Sequence, residues 1–307
     1  MKVTPLGEES LGVRSMCLKV EAGGTVFILD PGASLAPRRF GLPPHPLEIE
    51  AIKEFRKRLN EALEEAEYLF ISHYHRDHFT PVYKSVYMGT EGENIYKKKK
   101  VLAKDYNNAN YSQKVRGYML EKDAKSSSSS WVFVDGKTLK VGDVRVKFSD
   151  PIPHGKEKSK TGFIIGVSIK QKGFALTYLP DVQGPLSKKA VKFAKETKPD
   201  MLVIGGFPYY LIGYAFSEED LELSKKFLTE IVKEVKPETL VIGHHLLRSS
   251  DWANAVPEGI EFKTYSQMIG MKENLLEAKR KELYEKFKPP PDHFKLFKKK
   301  EESAEED

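Results

Sequence analysis

Three imidazoles and a carboxylate fall within six consecutive positions, His73-Tyr74-His75-Arg76-Asp77-His78, directly after the apolar run Tyr68-Leu69-Phe70-Ile71. Three of the protein's eight histidines sit in that stretch. A solvated loop seldom concentrates them so. Neutral imidazole is the commonest side-chain ligand for zinc and related ions, and carboxylate is its usual companion in catalytic sites. In extended chain His73 and His75 project to the same side, and Asp77 and His78 follow where the chain must turn. The pattern suits two neighbouring ions, with His73 and His75 on the first and Asp77 and His78 on the second.

Four ligands cannot complete two coordination shells, so further donors must come from elsewhere in the chain. Polar residues at the ends of apolar strands are the candidates. His154 follows the alternating Val144-Arg145-Val146-Lys147-Phe148 in a turn-like Pro151-Ile152-Pro153-His154-Gly155. Asp181 ends Phe174-Ala175-Leu176-Thr177-Tyr178-Leu179-Pro180, His244 ends Thr239-Leu240-Val241-Ile242-Gly243, and Asp30 ends Thr25-Val26-Phe27-Ile28-Leu29. Taken singly each has a bland explanation, since Asp before Pro-Gly is a turn former and a lone His usually packs. Their joint recurrence at strand ends is the stronger signal.

An Asp after an early strand, a His-x-His-x-Asp-His loop, a His, an Asp and a final His, in that order, resemble the metallo-β-lactamase superfamily. Residues 9–16 and 37–45 look like a mainly archaeal branch of it. The resemblance implies an α/β fold, a four-layer αββα sandwich. It implies two divalent ions, zinc first, with iron and manganese as the other candidates. By position, His73, His75 and His154 would hold one ion and Asp77, His78 and His244 the other. Asp181 would bridge them, and Asp30 would orient a ligating imidazole from behind. His244 is preferred as the final ligand because it lies nearer its strand; His245 is the alternative, and otherwise a substrate contact or proton donor. The activity implied is hydrolysis by a metal-bridging hydroxide, with Asp77 and Asp181 shaping the pair.

The elements that must position these residues are legible in outline. Ile52, Phe55, Leu59 and Leu63 keep helical spacing over about 46–64. Helices are also expected over about 184–197, from Ser217 to the stop at Lys236-Pro237, with Ser217 and Asp220 as a capping pair, and as one long amphipathic stretch from about 265 to 287. Residues 1–288 read as a single domain. The Pro-rich, charged tail 289–307 is expected to be disordered. A hydrophobic content of 40% is ample for a core, and no apolar run approaches the ~20 residues of a membrane span. One cysteine, Cys17, excludes an internal disulfide framework and suits a reducing compartment, so the cytoplasm is expected.

The substrate is expected to be anionic, a small molecule or a nucleic acid. Arg38, Arg39, Arg76 and Arg248 cluster near the ligand motifs, and Tyr209 follows Gly205-Gly206-Phe207-Pro208. Residues 81–130 carry ten Lys plus Arg against five Asp plus Glu and six tyrosines, and read as a basic insertion. Lys97 to Lys100 would face phosphates, with Ser126 to Ser130 as a flexible joint. A phosphodiester is therefore favoured over an ester, thioester or lactone. A nucleic-acid-binding module with structural metal is the reading from another class.

Overall fold

The structure, a computed structural model, describes residues 1–158 and 160–297. Twelve strands form its two main sheets, six in each, in chain order. The first contains β1 (Lys2–Gly7), β2 (Cys17–Ala22), β3 (Thr25–Leu29), β4 (Tyr68–Ile71), β5 (Lys100–Ala103) and β6 (Ser130–Phe133). The second contains β7 (Thr138–Val141), β8 (Val144–Phe148), β9 (Val167–Gln171), β10 (Phe174–Leu179), β11 (Met201–Gly205) and β12 (Thr239–Gly243). Each begins as an antiparallel meander and ends in parallel strands, β3 to β6 and β10 to β12. The crossovers carry α1 (Pro46–Glu65), α2 (Tyr111–Ala124), α3 (Lys188–Thr197) and α4 (Glu218–Val235).

Three apolar clusters make this a four-layer sandwich. Phe70, Phe148, Tyr178 and Val241 meet between the sheets. Ile52, Phe55 and Leu59 of α1 and Leu120 of α2 cover the first sheet, while Ala190, Phe193, Leu228 and Ile231 of α3 and α4 cover the second. Parallel strands sandwiched in this way read as near-continuous apolar runs, as β4, β11 and β12 do. No helix among the described residues is long and apolar enough to cross a membrane. The Ser217 cap is as expected: its hydroxyl accepts from Asp220 N–H, and the Asp220 carboxylate accepts from Ser217 N–H.

Residues 81–130 differ from the excursion read in the sequence, because they supply β5, α2 and the start of β6 to the first sheet. The lysine run lies at the end of that sheet opposite the His-rich loop, since Lys100 pairs with Tyr68 at the start of β4. Lys99 Nζ donates to the carbonyls of Leu63 and Ala66 at 2.6 and 2.7 Å, and Lys100 Nζ to Glu67 at 2.6 Å. A helix leaves its last carbonyls unpartnered, and the Lys99 ammonium satisfies the end of α1, while Lys100 is held by the Glu67 carboxylate. Ser127 and Ser129 are tied to Asn94 and Lys99, so the serine run is no free joint.

The expected helix over 265–287 is two pieces, α5 (Tyr265–Met268) and α6 (Arg280–Lys286), joined by irregular chain. The detour buries side chains that one straight helix would leave outside. Glu277 pairs with Arg14 at 2.6 Å, and Arg280 makes a bidentate pair with Glu48. Pro289 onward also docks: His293 Nε2 lies 2.7 Å from Pro44 O, and Phe297 packs on Tyr87. The rest of the tail expected to be disordered, 298–307, lies outside the described residues.

Burial alone would raise the Glu277 carboxyl, but Arg14, helped by Arg248 and Arg280, takes it from an ordinary 4.5 down to about 2. A depressed carboxylate stabilises the fold above its unfolded pKa and loses that contribution as pH falls through the folded one. Glu277→Gln should therefore destabilise the protein by about 3 kcal/mol at neutral pH. In denaturant melts the deficit should shrink from pH 4.5 toward pH 2; a deficit independent of pH would refute the ion-pair account.

Candidate metal centre

The two sheets bring the C-terminal ends of their parallel strands to one edge, where open α/β sheets present their ligand crevice. Asp30 leaves β3, residues 73–78 leave β4, Asp181 follows β10 and His244 follows β12. Asp30, Asp181 and His244 all take left-handed backbone, with φ of 47°, 47° and 59°. Non-glycine residues are uncommon there, and such conformations persist where the surroundings hold them in place. Gly32 lets the turn after Asp30 lie against the His-rich loop, since a Cβ there would strike the backbone of Phe79.

Six imidazoles converge on Asp181. Its Oδ2 lies 2.8 Å from His154 Nε2, 3.3 Å from His73 Nε2 and from His78 Nε2, 3.5 Å from His245 Nε2 and 4.0 Å from His75 Nδ1. Its Oδ1 lies 3.0 Å from His244 Nε2. A carboxylate oxygen has two lone pairs, so hydrogen bonding cannot account for five ring nitrogens around one atom. His73 Nε2 is buried and makes no hydrogen bond at all. Donors on a tetrahedral ion at ~2.0–2.1 Å stand ~3.3 Å apart, close to the separations seen here. The residues fit a metal.

The donors fall into overlapping groups. His73, His75, His154 and Asp181 form one, and Asp77, His78 and His244 another. In the second, His244 Nε2 is 3.3 Å from His78 Nε2 and 3.5 Å from Asp77 Oδ2. Asp181 touches both groups. Burial pushes the Asp181 carboxyl up, but His78, His244, His154 and His245 together hold it well below the usual range. Burial, with neighbouring positive charge, keeps His73, His75 and His245 below the ordinary imidazole value. At His78 and His244 burial is outweighed by Asp181, Asp30 and Glu9, which raise both, His244 to about 9, so an ion there must displace protons. Neutral imidazole is the form that ligates.

What faces each ring from behind decides which nitrogen carries the proton. His78 Nδ1 lies 2.8 Å from Asp30 Oδ2 and His244 Nδ1 lies 3.1 Å from Glu9 Oε2. His73 Nδ1 lies 2.9 Å from Ser72 Oγ, whose own proton goes to Asp30 at 2.6 Å. All three Nδ1 atoms therefore donate, leaving Nε2 lone pairs aimed into the cluster. His245 is the opposite case. Its Nδ1 is 3.2 Å from Arg248 Nη1, which can only donate, so the proton sits on Nε2. The tautomers thus favour His244 over His245 as a ligand.

Three residues here carried no clear signal in the sequence. Glu9 orients His244 and binds Arg248 Nε at 2.7 Å. Glu8 accepts from His244 N–H at 3.1 Å, and it reaches that strand end only because position 243 is glycine. Gln113 of α2 donates to Thr161 O at 2.7 Å and lies 3.4 Å from His75 Nε2. The one available hint was a buried-looking acidic pair directly after β1.

The expected substrate residues are distributed unevenly. Arg39 stacks on Tyr210, 4.4 Å from the ring centroid, and donates to Arg248 O at 2.9 Å. Arg38 is exposed, and Arg76 is half-buried within the His-rich loop. Arg248 is 3% exposed and engaged by Glu9, Asp77 and His245, so it organises the centre and has no open face for a substrate. Tyr209 packs against the apolar cluster under α3 and α4, and its neighbour Tyr210 takes the place beside Arg39.

Fold and site together define the class: a four-layer αββα sandwich with a buried histidine–aspartate cluster at its strand ends whose donors could hold a metal ion. The chain belongs to the UPF0282 family. A member from Pyrobaculum islandicum is 45% identical over 297 residues, covering 93% of this chain and 95% of the relative. No family model matches the chain. Among solved structures, human tRNase Z, short form, is 15% identical with a TM-score of 0.47, covering 80% of this chain and 92% of that one. A metal-dependent hydrolase of the β-lactamase superfamily is 14% identical, also with a TM-score of 0.47, covering 85% and 94%. Both likenesses concern overall fold alone.

Proposed function

We propose that the protein is a dinuclear-metal hydrolase of phosphate-bearing substrates, phosphodiesters first. The observation that carries the reading is the shared Asp181, crowded by more ring nitrogens than its lone pairs can serve and touching both donor groups. Two divalent ions held there, zinc first, would acidify a water and neutralise charge on the scissile phosphoryl group. His73, His75 and His154 would hold one ion, and Asp77, His78 and His244 the other. His245 presents an Nε2–H toward Asp181 from the rim of the cluster, which suits a hydrogen-bond donor to a substrate oxygen.

Preference for an anionic substrate rests on cations carried by the ligand segments themselves. Arg76 lies inside the His-rich loop, Lys158 and Lys160 follow His154, and Arg38 and Arg39 follow the Asp30 turn. Arg39 keeps a planar face on Tyr210 with Nη2 donating to Arg248 O, and guanidinium is the side chain suited to phosphate recognition. Metal-stripped and zinc- or manganese-reloaded protein should be offered bis-p-nitrophenyl phosphate, acyl thioesters and lactones side by side. Cleavage of the phosphodiester only after reloading is expected. Turnover confined to thioesters or lactones would replace the phosphodiester reading with an acyl-transfer one.

A further inference from the structure

Arg248 stands inside the second donor group. Its Nη2 lies 3.0 Å from Asp77 Oδ2 and 3.2 Å from His244 Nε2, the same lone pairs that an ion at that position would use. The guanidinium is not a loose surface head. Glu9 holds its Nε at 2.7 Å, His245 meets Nη1 at 3.2 Å, and the side chain is almost wholly buried. Arginine keeps its charge at any working pH, so it cannot yield the site by losing a proton. Among the described residues its hydrogen bonds run to Glu9, His245, Asp77 and His244, on the side of the second donor group.

We propose that Arg248 makes the two halves of the centre unequal. The position built from His73, His75, His154 and Asp181 fills first and stays filled, while the one built from Asp77, His78 and His244 fills only as the ion displaces the guanidinium. This rests on the reading of the cluster as a metal centre. A group behind a metal ligand shifts ion affinity by ~10–100-fold, so the second ion should bind at least about tenfold more weakly than the first. Glu9 works in both directions, since it raises the basicity of His244 and also anchors the competing arginine. The second ion would then be exchangeable, lost on dilution or against a mild chelator while the first is retained.

The test is equilibrium zinc titration of metal-stripped protein in chelator-buffered solution, with bound zinc counted by elemental analysis. Wild-type protein should load in two steps separated by tenfold or more. Arg248→Met, which keeps the apolar stem, should tighten the second step about tenfold and leave the first in place. Asp77→Asn should abolish the second step alone, which assigns that step to the second donor group, and the wild-type curve keeps the proposal refutable even if Arg248→Met does not fold. Two ions taken up by wild type in a single step, or a second step not tightened in folded Arg248→Met, would overturn the proposal and leave the metal reading standing. Absence of any stoichiometric zinc uptake by wild type would bring down the metal reading itself.

Discussion

Asparagine in place of Asp181 should leave a folded protein that has lost both turnover and bound metal. The substitution keeps the shape and removes the charge on which six ring nitrogens converge, five at Oδ2 and one at Oδ1. An amide can accept only through its oxygen, so one of the two donor groups must lose its shared ligand. Outer partners of metal ligands are worth ~10–100-fold, and a shared direct ligand should exceed that, giving a fall in kcat of about 10³-fold or more. Bound metal should drop by at least one equivalent. The left-handed backbone at 181 is tolerated by asparagine, which keeps conformational strain out of the comparison. Wild-type turnover with undiminished metal in Asp181→Asn would remove the centre as the seat of any chemistry.

The second large effect is expected one layer further out, at Asp30. It is fully buried and accepts four hydrogen bonds: Ser72 N–H on Oδ1 at 2.7 Å, and Ser72 Oγ, His78 Nδ1 and Tyr178 OH on Oδ2 at 2.6, 2.8 and 2.7 Å. Every partner is a donor. Whichever way the amide of Asp30→Asn turns, its NH2 faces donors, and each unsatisfied buried group costs about 1–3 kcal/mol. His78 then loses the acceptor that fixes its Nδ1–H and directs Nε2 inward. Metal affinity should fall ~10–100-fold, together with a lower melting temperature of the metal-free protein. Ion affinity equal to wild type would show that Asp30 serves the fold and has no part in orienting the ligand.

The contrast between these two aspartates shows how far local sequence carries. Asp181 and Asp30 both end apolar runs, and so do His73 and His244; a run of Val, Ile, Leu and Phe stopping at a polar residue marks a strand leaving the core. Strand ends and ligand candidates were therefore legible, and so was α1, whose apolar spacing survives intact. Residues 81–130 and 265–287 misled for one reason. Charge density and helical spacing are local properties, whereas Lys99 is used on carbonyls more than thirty residues away and Glu277 on an arginine at position 14.

The chain by itself determined the inventory: which imidazoles and carboxylates exist, and that they stand at strand termini where backbone turns expose them. Only the tertiary structure decided their roles. Whether a histidine offers a lone pair or a proton depends on the group behind it. Those groups, Asp30 for His78 and Glu9 for His244, arrive from 48 and 235 positions away. Arg248 likewise reads as a substrate-facing cation until Glu9, 239 positions away, draws it into the centre. Hydrogen-bond direction is a property of packed neighbours, and packing joins residues that no local pattern relates.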